Sequence, residues 1–364
     1  MITCETAKHY LETSNYHVVD IKLIPEGSNH KVFIVTLEDN RKVICKFPIQ
    51  RHTETDHTSK HLDTLFGGEL SLDRETSLYN LARESGHVPA PIVFDHVRVD
   101  DIEFIVLELM SGESFAEFLN KNNHSKSTYL SSLNKLGRDF ANIQKISFES
   151  YGNIMKDKIM PEHLLNFVDY FTTIINNRIE KAFKKGAFTK DELKIIKEFF
   201  TEKLWYFKPL LDHELTPPVM VFTDMHADNY FVDATGKPSG YFDLESSQAA
   251  PAALEFYGMR FFLFNYYDSA TMIEAEQSFF EGYNDAGGLY APQSDMDHQL
   301  IDFLSACRLL ELTESYWGHR DGLRDLWAFK MKNILMQYLF TDQVDYISLS
   351  NIFREKTLQP HHPN

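Results

Sequence analysis

The sequence predicts a two-lobed α+β fold, with a small antiparallel sheet at the N-terminal end and a larger, mainly helical remainder. Three observations lead there. The first 110 residues alternate β-rich runs with turns, and most of the rest has helical length and spacing. A short connector at Glu108–Gly112 separates the two patterns. The chain of 364 residues has room for two lobes of this kind, each with its own core. The lobes are read as residues 1–110 and 111–364.

Taken in order, Val18–Leu23, Lys31–Leu37 and Lys42–Phe47 are strands, the last two joined by the turn Glu38-Asp39-Asn40-Arg41. Residues 48–66 are polar and irregular, and residues 69–85 have helical spacing through Leu70, Leu78, Leu81 and Ala82. After Pro89-Ala90-Pro91, the runs Ile92–Val97 and Ile102–Leu107 form a hairpin around Asp100-Asp101. Residues 114–121, 127–146, 162–186 and 190–208 are helices. Pro217-Pro218 ends that block. Short apolar strands follow at Val219–Phe222, Tyr230–Val232 and Gly240–Phe242, and about four helical segments run from Ala252 onward.

Composition narrows the class. A hydrophobic fraction of 43% and a charged fraction of 24% belong to a globular chain. The net charge of −17 repels phosphate backbones, so no nucleic-acid partner is expected. Acids dominate after residue 211: eight against one base over 211–259, and fifteen against eight over 260–364. That field leans toward a cationic small molecule. No uncharged apolar stretch reaches 18 residues, since Arg260 interrupts Tyr257–Tyr267, so no membrane partner is expected. The first residues lack the basic flank and apolar run of a secretory signal, and Cys4, Cys45 and Cys307 form no CxxC pair. A cytoplasmic location is expected; oligomeric state is not legible.

The most informative segment is Val221–Asp233. A strand delivers a loop with Asp224, His226 and Asn229, and a second strand follows at once. Fourteen residues after Asn229, another strand ends at Asp243, with Glu245 just beyond. These groups can converge at the strand ends. Phosphoryl transfer needs such a set: one carboxylate to orient a hydroxyl and take its proton, and hard oxygens for Mg²⁺.

The segment resembles the catalytic loop of the aminoglycoside phosphotransferase and choline kinase family, relatives of protein kinases. The match is at Asp224, His226, Asn229, Asp243 and Glu245; Phe222 and Thr223 stand where the family has His-Gly. Ala250–Glu255 is similar to the family's next helix start, without a catalytic role assigned to Glu255. The resemblance implies a protein-kinase-like fold, with Asp224 as the base and Asn229 and Asp243 as Mg²⁺ ligands. It implies that Gly27, Ser28 and Asn29 cover nucleotide phosphates, that Lys46 contacts them, and that Glu75 holds Lys46. Glu108 to Met110 would offer backbone groups to the base of ATP, or of GTP. The implied activity is ATP-dependent phosphorylation of a small-molecule hydroxyl. No protein-kinase activation segment is visible after Asp243, which favours a small acceptor over a peptide. The alternative is a catalytically inactive, nucleotide-binding kinase-like protein that acts through interactions; the Phe222-Thr223 departure is its only support. His52, His57 and His61 read as a solvated loop rather than a zinc site.

Overall fold

The computed structural model describes residues 2–24, 30–48, 71–100, 102–121, 125–156, 158–160, 162–212, 217–268, 270–290, 292–319 and 322–357. Gly27, Ser28 and Asn29 lie outside them, as do His52, His57 and His61.

The chain opens with a helix the sequence reading missed, α1 (Cys4–Thr13), capped by the Thr3 side chain on Thr6 N–H. Only Ala7 and Leu11 of it are buried, too short an apolar stripe to stand out. Next come β1 (Val18–Ile24), β2 (His30–Leu37), β3 (Lys42–Pro48), α2 (Leu72–Glu84), β4 (Val93–Val99) and β5 (Ile102–Glu108). The five strands form one antiparallel sheet in the order β1-β2-β3-β5-β4. Phe33, Val35, Val43, Cys45, Phe47, Phe104 and Val106 fill the face that meets α1. On the other face Ile105 and Leu107 pack against Leu78, Tyr79 and Ala82 of α2. Strand alternation therefore decides which side chains meet α2, and Lys46 is one of those.

The connector re-enters the sheet world immediately. The two-residue strand β6 (Glu113–Ser114) pairs with the strand that follows the Asp224 loop, Val232 opposite Glu113. At Gly112 the backbone has φ +106°, and a Cβ there would lie 2.4 Å from Val232 O. Glycine is therefore required on both grounds.

The remainder is mostly helical: α3 (Phe115–Lys121), α4 (Lys126–Ile143), α5 (Phe167–Lys184) and α6 (Lys190–Leu211), with short strands β7 (Gly152–Ile154) and β8 (Ile159–Met160) between α4 and α5. Then follow β9 (Val219–Val221), β10 (Tyr230–Val232), β11 (Pro238–Tyr241) and β12 (Gln248–Ala250). The helices α7 (Met272–Asp285), α8 (Asp295–Tyr316), α9 (Gly322–Thr341) and α10 (Tyr346–Thr357) complete the chain. Residues 252–256 are a 3₁₀ turn and 260–264 a π-helical turn, where the sequence suggested ordinary helix. Two small sheets, β11-β10-β6 and β8-β7-β12-β9, carry the loops of interest. Among the described residues no helix is long and apolar enough to cross a membrane.

The aromatic run 256–267 is core for the most part, with Phe256, Tyr257, Phe261 and Phe264 buried and Tyr267 exposed. Helices α4 and α7 approach unusually closely. Asn134 Nδ2 donates to Ser278 O, and Ser278 Oγ donates to Leu130 O. A Cβ on Gly282 would lie 1.8 Å from Asn134 O, and one on Gly137 2.1 Å from Phe279 O. Gly282→Ala must push the helices apart. We expect a loss of about 3 kcal/mol in urea unfolding, the upper end for overpacking; an unchanged midpoint would refute this packing account.

Candidate active site

Lys46 sits on β3, nearly buried, with its ammonium between two carboxylates. Nζ is 2.7 Å from Glu75 Oε1 and 2.9 Å from Asp243 Oδ1. Burial alone would lower its pKa, but Asp243 and Glu75 outweigh that and hold it well above the ordinary lysine value. Glu75 is fully buried on α2, and its Oε1 also accepts from Tyr79 OH at 2.7 Å. The other acids of α2 do not reach Lys46: Asp73 pairs with Arg98 and His96, and Glu84 with Arg83.

Asp243 follows β11 in the left-handed region, φ 55°, ψ 43°. That turn swings its carboxylate toward β3. The Asp243 N–H donates to Tyr79 OH at 3.3 Å. Lys46 draws its carboxyl below the usual range, against an opposing desolvation penalty. Its side chain stays 46% exposed, and its second oxygen has no hydrogen-bond partner among the described residues.

Asn229 Nδ2 donates to the Asp224 carbonyl at 2.7 Å, which closes the loop 224–229 on itself. Phe242 N–H donates to Asn229 O at 2.8 Å, bringing the Asn229 and Asp243 loops side by side. The amide oxygen of Asn229 and the free carboxylate oxygen of Asp243 are hard donors of the kind Mg²⁺ takes, and the residues present fit such an ion.

The loop around Phe222 and Thr223 is held by local contacts. The Phe222 N–H donates to the Glu255 carboxylate, at 3.0 and 3.1 Å to its two oxygens. Burial pushes the Glu255 carboxyl far above the usual range, despite those bonds. The Phe222 ring packs edge-on to Phe140, and Thr223 Oγ1 donates to Ser246 O at 2.7 Å. Thr223 thus ties the Asp224 loop to the segment after Asp243. Arg74 fixes the same segment from α2: its guanidinium donates to the carbonyls of Glu245, Ser247 and Ile154. Glu245 is buried, with Oε2 3.8 Å from His30 Nδ1. His226 Nδ1 accepts from Asp228 N–H at 3.3 Å, and its ring stands 6.1 Å from Phe262.

The structure brings together Lys46, Glu75 and Asp243, and sets Asn229 beside the Asp243 loop. At Glu108, the N–H is spent on Ile92 O (2.9 Å) and the side chain on Ile92 N–H (3.1 Å). That N–H is therefore not free for a base, which limits what the sequence reading expected there. Met110 lies against Gly240, whose Cβ would come within 3.1 Å of its side chain.

One residue escaped the sequence reading: Arg308 on α8. Its Nη2 contacts Asp224 Oδ1, and its Nη1 lies 3.0 Å from Glu311 Oε1. Burial opposes ionisation of Glu311, but Arg178 and Arg308 outweigh it and draw its carboxyl down to about 2. The signal was an Arg-x-x-Glu pair inside the apolar stretch Phe303–Leu312.

A strand lysine paired with a helix acid, and Asp224, Asn229 and Asp243 on two adjoining loops, thus stand together in the fold. The model of the phosphotransferase enzyme family APH matches residues 20–298. The chain belongs to that family. As a member it is a phosphotransferase of the small-molecule kinase type, and the family implies nucleotide binding. No curated protein matches in sequence. Among solved structures, a thermostable mutant of aminoglycoside phosphotransferase APH(4)-Ia is similar at 12% identity and TM-score 0.60, covering 91% of this chain and 98% of its own. The GDP complex of an aminoglycoside 2'-phosphotransferase IIIa aligns at 10% identity and TM-score 0.58, over 93% and 99%. Plasmodium vivax ethanolamine kinase aligns at 13% identity and TM-score 0.50, over 94% and 82%. At these identities the likeness is one of fold, and the fold is kinase-like, as the sequence led us to expect.

Proposed function

We propose that this family member transfers the γ-phosphoryl group of ATP to a hydroxyl of a small molecule, and that residues 1–110 and 111–364 are its two lobes. The observation that carries the reading is the placement of Lys46 between Glu75 and Asp243, three residues from separate parts of the chain. Such a fixed ammonium has a clear use: it holds phosphate oxygens and neutralises charge that builds during transfer.

The acceptor oxygen forms a bond to the γ-phosphorus while the bond from that phosphorus to the β–γ bridging oxygen breaks. ADP leaves, and the hydroxyl proton passes to Asp224. Asp224 orients the hydroxyl and takes that proton late. Lys46, kept in place by Glu75, positions the phosphates. Asn229 and Asp243 would hold Mg²⁺, which when bound neutralises the phosphate oxygens. Gly27, Ser28 and Asn29 would cover the phosphates, and Met110 with its neighbours would meet the base. Positioning and charge neutralisation carry most of the rate.

The reading is tested by nucleotide turnover. The wild type, given Mg·ATP or Mg·GTP and pooled hydroxyl acceptors, should release nucleoside diphosphate above its water-only rate. Chelating the magnesium should remove that release. Tight nucleotide binding with no acceptor-dependent release from any pool would favour the inactive, interaction-type alternative instead.

A further inference from the structure

Helix α2 carries Glu75, yet its apolar face belongs to the core of the helical region. Leu78, Tyr79 and Ala82 share one buried cluster with Phe140 and Ile143 of α4 and with Leu244, while the opposite face of the five-stranded sheet has a core of its own. Just past the end of α2, a Cβ on Gly86 would lie 2.6 Å from Ile143 Cδ1, so the chain runs directly onto α4 there. In the first turn of α2 stands Arg74, 1% exposed.

The Arg74 guanidinium donates through Nε to Ile154 O at 3.1 Å, through Nη2 to Ser247 O at 2.6 Å, and through Nη1 to Glu245 O. Ile154 ends β7 and Ser247 precedes β12, and those strands pair with Gln248 opposite Asn153. The planar fork therefore closes the end of that ladder, a task that suits a guanidinium better than an ammonium. Burial lowers its pKa to about 10, with Glu245 and Glu75 opposing, so it stays charged at neutral pH. All three bonds go to main-chain carbonyls, so what Arg74 fixes is the path of the chain. Glu75 is the next residue after Arg74, and Asp243 comes two residues before Glu245. The clamp thus sets the separation of the two carboxylates that hold the Lys46 ammonium, at 2.7 and 2.9 Å. Tyr79 OH adds a second tie from α2 to the same segment, accepting from Asp243 N–H at 3.3 Å.

We propose that Arg74 is a positioning residue: it locks α2 onto the 243–247 segment with or without nucleotide, and so keeps Glu75, Lys46 and Asp243 assembled for the phosphates. This rests on the phosphotransferase reading given above. Arg74 touches no substrate and acts through Glu75.

The test measures Mg·ATP dissociation constants for the wild type, Arg74→Lys, Glu75→Gln and the double variant, with urea unfolding of each. Arg74→Lys should raise the constant at least ~10-fold, because small displacements of positioning groups are costly. Glu75→Gln should raise it as well, and Arg74→Lys should then add less than ~2-fold. Gly282→Ala, destabilised at the α4–α7 contact, should bind Mg·ATP as the wild type does, which separates lost stability from lost positioning. An affinity within ~2-fold of wild type in Arg74→Lys, or losses that simply add in the double variant, would overturn the proposal. If Arg74→Lys does not fold, hydrogen exchange in the wild type decides. A helix of 13 residues is marginal on its own, so the α2 amides stay protected only while α2 is docked. Protection from Glu75 to Tyr79 should stay within ~10-fold of that at Phe140 in α4, with or without Mg·ATP. Protection weaker than that without nucleotide and restored by Mg·ATP would reveal a helix that swings, and would overturn the clamp alone. A wild type that binds no Mg·ATP would overturn the phosphotransferase reading, and the role of Arg74 with it.

Discussion

Asp243→Asn should reduce Mg·ATP turnover by at least ~10³-fold while leaving the fold intact. The size of the effect follows from two roles carried by one carboxylate. Asp243 is the second anion on the Lys46 ammonium, at 2.9 Å, and it supplies a charged oxygen toward the expected Mg²⁺ position. Asparagine removes the charge at nearly constant size. It also suits the backbone: residue 243 has φ 55° and ψ 43°, a region Asn enters far more readily than Ala. Asp243→Ala would add about 1–2 kcal/mol of backbone cost to the chemical loss, and so mix two effects. The buried Lys46 ammonium keeps Glu75 Oε1 at 2.7 Å, so the substitution does not leave it without a counter-charge. Turnover within tenfold of wild type would remove Asp243 from the site.

Asp224→Asn should behave differently. Nucleotide binding should stay close to wild type, since the Asp224 side chain touches none of the groups assigned to phosphate or metal. Transfer to the acceptor should fall at least ~10²-fold, the contribution expected of a positioned base. The loop itself should survive: its closing bond runs from Asn229 Nδ2 to the Asp224 backbone carbonyl, which the substitution leaves alone. Arg308 can still donate to the amide oxygen. A drop in nucleotide affinity equal to the drop in transfer would mean that residue 224 acts on the phosphates instead.

The two-lobed α+β class was legible because its cues are local. Alternation and turn residues mark β2 and β3, and the 3.6-residue period marks α2, so Lys46 and Glu75 could be placed on their elements before their 2.7 Å contact was known. Asp224, Asn229 and Asp243 were legible because a strand–loop–hairpin fixes their spacing along the chain. Arg308 was not, because its meeting with Asp224 joins residues 84 apart, and no periodicity in α8 announces that contact. Short strands such as β6 and β12 were invisible for a related reason. Two or three residues carry no alternation, and they become strands only when β10 or β9 lies alongside. The Phe222-Thr223 departure looked like a loss in sequence. In the fold, the Thr223 hydroxyl adds a bond to Ser246 O, and Glu255 holds the backbone N–H of Phe222 whatever side chain stands there.

The most direct measurement of the central claim is the phosphate ester product itself. Mg·ATP and Mg·GTP are supplied to the wild type and to Asp224→Asn, with pooled aminoglycosides, macrolides, choline-like amines, amino alcohols and sugar derivatives. The account predicts one acceptor class converted to its phosphate monoester by the wild type, and that product lost or reduced ~10²-fold in Asp224→Asn. Equal product from both proteins, or nucleotide bound tightly by a wild type that phosphorylates nothing, would contradict it.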